Sequence, residues 1–170
     1  MNNAIAPQTE PWRAGIIQDF ARSELFERTF QEGMGLVEET AAYLDGAGRQ
    51  DSKLLSRNAA LAYASESMRL TTRLMQVASW LLVQRAVREG HMPPEAACDA
   101  SYRLAAEHTG QPASREGLPG PLNQLLERSE RLYDRVRHLD RRMYVETEGA
   151  EETPSPVLAQ LARLKDAFRG

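Results

Sequence analysis

The chain has 170 residues, of which 42% are apolar and 26% charged, and its mean hydropathy is −0.52. That balance fits neither a membrane-embedded chain nor a broadly disordered one, and the length suits one domain with a sizeable core. A net charge of −3 with one cysteine and three histidines lacks the basic excess usual in nucleic-acid binders and rules out an internal disulfide.

The longest apolar stretch, Val77 to Val83, contains Ser79 and ends at Gln84 and Arg85, far short of a bilayer span. Acidic and polar residues precede Ile16, where a secretory signal would need a basic region and an apolar core. A reduced cytoplasm is the expected location.

Residues 1–15 hold Pro7 and Pro11 and no sustained period, so they read as a flexible arm. A first helix is predicted over 20–45. Phe26, Phe30, Gly33, Val37, Ala41 and Leu44 fall on one face, and Gly46 and Gly48 supply a stop. Gly33 lies in that stripe, which implies close approach of a neighbouring backbone.

A second helix is predicted over 51–89, with Asp51 or Ser52 as N-cap and Gly90 beyond its end. Its apolar residues, among them Leu61, Met68, Leu70, Leu74, Met75, Val77, Leu81 and Leu82, fill an arc of roughly 200°. So wide an arc needs neighbours on two sides, which makes this the central helix. Pro94 opens a short helix expected over 94–107, and a loop rich in Gly, Pro and Ser follows.

The third long helix is predicted over 122–146. Leu122, Leu125, Ser129, Leu132, Val136, Leu139 and Met143 alternate spacings of three and four, a heptad seam. The fold expected is all-α: an antiparallel three-helix bundle over 16–147, with a short extra helix. Residues 148–170 form a linker and a short amphipathic tail helix, in which Val157, Leu161, Leu164 and Phe168 share one face. The acidic start and the Thr153–Pro156 run predict a mobile linker. The tail helix has two possible seats, this protein's own bundle or a partner's groove.

No catalytic or metal constellation emerges. None of His91, His108 and His138 has a second histidine three or four residues away, and there is no Glu-x-x-His motif, phosphate loop or nucleophile elbow. No cofactor and no enzymatic activity are expected. Glu66, Arg69, Arg73, Gln76 and Trp80 form a polar stripe on the central helix. Arg69, Arg73, Gln76 and Trp80 read either as an internal network or as a protein-docking surface, and the internal network weighs more. In the third helix Arg128, Arg131, Arg135 and Arg141 alternate with Glu127, Glu130, Asp134 and Asp140. Those alternating signs read as a solvated face, with nucleic-acid binding as the alternative function.

Residues 59–90, AALAYASESMRLTTRLMQVASWLLVQRAVREG, resemble the signature block of the alphaproteobacterial RcdA family, the regulators of CtrA degradation. Glu32-Gly33-Met34, Leu36-Val37-Glu38-Glu39 and the run from Tyr43 to Arg49 agree with it. The likeness covers about the first ninety residues, while beyond Pro94 only helix length and position correspond, and the tail does not correspond at all. The resemblance implies a dimeric three-helix bundle with a mobile C-terminal tail. It also implies an adaptor role for the ClpXP protease, joining a receiver-domain adaptor at a ClpX-type unfoldase to substrate proteins. Because members need a mobile tail, it favours a partner's groove as the seat of the tail helix.

Overall fold

Residues 11–107 and 111–144 are described by a computed structural model, and no strand occurs among them. α1 (Pro11–Arg22) and α2 (Glu24–Asp45) meet at Ser23. The Ser23 hydroxyl donates to the Phe20 carbonyl at 2.6 Å and accepts from the Phe26 amide at 3.1 Å, so one side chain ends one helix and caps the next. α1 corrects the reading of 11–15 as part of an arm, and residues 1–10 lie outside the described residues. Pro11 stands at the first helical position, where its missing N–H costs nothing, and Ala14, Ile17 and Ala21 bury one face.

After Gly46 comes a short α3 (Ala47–Lys53), then α4 (Arg57–Arg88). The long helix therefore starts later than expected. The Leu54 amide closes on the Asp51 carbonyl at 3.1 Å and ends α3. Ser56 Oγ then accepts from the Ala59 amide at 3.2 Å and caps α4. Gly48 is required here, since a Cβ would lie 2.6 Å from Tyr63 Oη and 2.7 Å from the Tyr43 carbonyl. At the far end Gly90 adopts φ +75°. The Gly90 amide bonds the Val87 carbonyl and the His91 amide bonds that of Ala86, which is a Schellman stop.

The helix expected over 94–107 reduces to α5 (Pro94–Ala97) and a 3-10 turn at Ala100–Tyr102. Asp99 Oδ1 takes the Ser101 amide at 2.8 Å, a side-chain bond that competes with helix propagation. Arg103 is extended, and the Leu104 amide is held by Asp140 Oδ1 at 2.9 Å. α6 (Gly120–Tyr144) completes the bundle. Its seam is buried from Leu122 to Met143, with Leu139 half-buried.

The directions of the helices differ from the expected antiparallel set. α2 runs antiparallel to α4, since Glu27 pairs with Arg88 while Tyr43 lies by Tyr63. It also runs antiparallel to α6, since Glu39 pairs with Arg128 and Glu32 with Arg135. α4 and α6, however, run parallel: Arg73 bonds Ser129 and, further along both, Trp80 bonds Asp140. The 32 residues of α4 extend about 48 Å at about 1.5 Å per residue. The crossover 89–119 is long enough to carry the chain back over that distance.

Phe26, Leu36, Leu70, Leu74, Val77, Leu81, Leu126, Leu132 and Val136 form the centre of the core. Phe20 of α1 stacks edge-on to Phe26 and tilts over Trp80, with centroids 5.8 and 5.7 Å away. A Cβ on Gly33 would lie 2.7 Å from Leu81 Cδ1. The close neighbour there is thus a side chain of α4, not its backbone.

Candidate protein-binding surface

The polar stripe of α4 lies along the seam with the crossover and α6. Arg73 is 2% exposed. Its Nη1 donates to Ser129 Oγ at 2.8 Å, its Nε donates to Glu107 Oε1 at 2.8 Å, and its Nη2 also reaches Glu107. Glu130 lies 3.6 Å from the same guanidinium and is bound by Arg115. Glu66 is fully buried and accepts the Ala113 amide at 2.9 Å, with the Arg69 guanidinium 3.8 Å away.

Trp80, also 2% exposed, donates Nε1 to Asp140 Oδ1 at 3.0 Å. Asp140 further accepts the Leu104 amide and pairs with Arg103 at 3.2 Å. Arg73 and Trp80 are therefore turned inward, each held by partners within the chain. Arg69 and Gln76 are half-buried beside them, and Gln76 lines a cavity of about 380 Å³ between α4 and Tyr102, Arg103 and Ala105. The charges and hydroxyls of this row hold the crossover down, together with the burial of Ala97, Cys98 and Leu118 and the packing of Leu104 against the core. Val157, Leu161, Leu164 and Phe168 lie outside the described residues.

Four arginines of α6 answer carboxylates. Arg128 pairs with Glu39, Arg135 with Glu32 and Arg137 with Asp134, and Arg131 lies 4.0 Å from Glu127. These are contacts of a solvated face, two of them across the α2–α6 seam and two within α6. Burial raises the Cys98 thiol above its ordinary value, with the nearby Arg13 charge opposing and Glu95 adding to the rise. That is the direction of an inert thiol.

A different face of α4 is open. Leu61, Met68, Met75 and Leu82 are 65%, 71%, 65% and 51% exposed. They repeat every seven residues, so they form one ridge about 31 Å long. Ala64, Thr71 and Ala78 flank it on one side, with Ser65, Thr72 and Ser79 on the other. Every exposed residue of α4 between Arg57 and Arg85 is uncharged. The exposed face of α6, by contrast, carries Glu127, Arg131, Asp134, Arg135, Arg137, Arg141 and Arg142.

A seven-residue apolar repeat with small neutral flanks is the geometry that a second helix packs against. Sequence reasoning placed these residues inside a single wide arc. The separate signal was the strict spacing of seven, distinct from the Leu70, Leu74, Val77 and Leu81 pattern that meets the core.

Fold and surface together define an all-α bundle protein with an exposed helix-packing face. Residues 17–168 match the family described as "Protein of unknown function (DUF1465)". The crystal structure of RcdA from Caulobacter crescentus CB15 is similar, with 76% sequence identity over 76% of this chain and 98% of that one, at a TM-score of 0.64. The chain belongs to this family, of which RcdA is a relative. No curated protein matches it.

Proposed function

We propose that this protein is a non-enzymatic cytoplasmic adaptor that helps deliver cell-cycle regulatory substrates to the ClpXP protease. Its partners on this reading are a ClpX-type unfoldase with a receiver-domain adaptor, the substrate proteins, and a second copy of itself. The identity to RcdA supports a role in regulated proteolysis.

One observation carries the reading of the surface: the ridge is palindromic, running Leu61, Met68, Met75, Leu82. A two-fold axis through α4 between Thr71 and Thr72 sets Leu61 opposite Leu82 and Met68 opposite Met75 in the two copies. That is what an isologous antiparallel helix pair needs. Small flanks let the two backbones approach, and the absence of charge leaves nothing to desolvate at a loss.

The test compares wild type with Met75→Glu in sedimentation and in degradation of a substrate by purified ClpXP with its receiver-domain adaptor. Wild type is expected to self-associate and to accelerate degradation. The variant is expected to sediment as a monomer and to deliver substrate about tenfold less well. A wild-type protein that does neither sinks the proposal.

A further inference from the structure

We propose that Val157, Leu161, Leu164 and Phe168 dock on the α4 ridge of their own chain, in competition with the second copy. The proposal rests on the reading of that ridge as a helix-docking face and names what regulates it.

The first argument is where the chain leaves the bundle. Tyr144, the last described residue, is buried, and its hydroxyl donates to the Ala97 carbonyl at 2.7 Å. Gln84 of α4 lies beside the same phenol, and the Arg103 guanidinium lies 6.0 Å from its ring centroid. The exit is therefore level with Leu82, at one end of the ridge. The cavity lined by Met75, Gln76, Trp80, Val83 and Arg103 opens between the two. Residues 145–156 reach up to about 40 Å when extended, while a helix is only about 10–12 Å across.

The second argument is shape. The four apolar residues follow at spacings of four, three and four, a single narrow stripe about 16 Å long if helical. That covers about half of the ridge, from Leu82 toward Met68, and its single line of large side chains fits beside a single line flanked by alanine, serine and threonine.

The third argument is charge along the route. Glu146, Glu148, Glu151 and Glu152 precede the stripe. Arg141 and Arg142 stand at the exit and form no ion pair among the described residues. Cations at a helix C-terminus already favour the macrodipole, and they also attract the acidic segment that follows. The family match runs to residue 168 and so includes the whole stripe.

Mass action then decides the competition. A short tether gives a local concentration in the millimolar range, against micromolar copies in solution. A helix too short to persist alone thereby competes with a longer partner.

The experiment uses the full chain with ¹³C-methyl methionine. Met68 and Met75 report on the ridge, and Met34, Met92 and Met143 are controls elsewhere. Wild type is compared with the full-length double variant Leu161→Asp, Leu164→Asp. At the lowest protein concentration the variant should shift Met68 and Met75 and leave the three controls in place. In sedimentation the variant should self-associate about tenfold more tightly than wild type.

Unchanged Met68 and Met75 resonances overturn the proposal, and so does a variant that self-associates no more tightly than a wild type that itself self-associates. The second-copy reading is scored separately, by whether Met68 and Met75 shift with protein concentration in the variant. Tail release at low concentration without that later shift leaves the tail on the ridge and removes the dimer.

Discussion

The Trp80 indole donates to Asp140 Oδ1 at 3.0 Å across sixty residues of sequence, tying α4 to α6 where the two run parallel. The same oxygen takes the Leu104 amide, and the second oxygen faces Arg103. One carboxylate thus joins two helices and the crossover. Asp140→Ala leaves two buried donors without an acceptor, at about 1–3 kcal/mol each. Asp140→Asn keeps an oxygen for Trp80 and Leu104 and loses the charge. Thermal melts should rank wild type above Asp140→Asn, and that above Asp140→Ala. Equal melting of the two variants would show that the hydrogen bonds matter less than the charge.

Arg73→Glu places a carboxylate beside Glu107 and Glu130 in a site that is 2% exposed. Breaking a buried pair in this way costs about 3–5 kcal/mol. The variant should lose helicity or aggregate on mild heating, while Arg131→Ala, on the outer face of α6, should melt like wild type. Circular dichroism decides between this and a surface role. A folded Arg73→Glu that fails only in partner capture would restore the docking reading.

Leu74 and Met75 are adjacent and opposite in environment, buried and exposed respectively. Leu74→Asp sets an unpaired charge in the core and should unfold the bundle or lower its melting temperature steeply. Met75→Asp should stay within about 0.5 kcal/mol of wild type and should lose self-association. Denaturant titration and sedimentation of the pair test which half of α4 faces in.

Gly33 and Gly35 should answer alanine with opposite signs. At Gly35 an added Cβ meets nothing within 4 Å, so helix propensity should stabilise the protein by about 0.5–1 kcal/mol. At Gly33 the Cβ presses on Leu81 Cδ1. The displacement of a core leucine should outweigh the propensity gain and give a net loss of about 1 kcal/mol. Urea midpoints measure both, and a stabilised Gly33→Ala would show that Leu81 moves freely.

How much of this was legible in advance depends on range. The heptad seam of α6, the glycine stop at Gly90 and the all-helical class follow from 100° per residue and from backbone preferences that each residue carries locally. The start of α1 was missed because Ala14, Ile17 and Ala21 are too few to mark a period. The helix expected over 94–107 failed for two reasons, one local and one not: Asp99 takes the Ser101 amide, and Asp140, from α6, captures the Leu104 amide.

The wide apolar arc of α4 was visible in the sequence, with Leu61 and Leu74 equally apolar. Which half would be covered depended on where the chain returned. A crossover that brings α6 back parallel to α4 buries Leu70, Leu74, Val77 and Leu81, draws Arg73 and Trp80 inward onto Ser129 and Asp140, and leaves Leu61, Met68, Met75 and Leu82 outside. Sequence alone determined that α4 would be a helix with more apolar surface than one neighbour can cover, because periodicity is a property of the local backbone. Only the tertiary structure decided which side remained open, because that depends on contacts between residues about sixty positions apart.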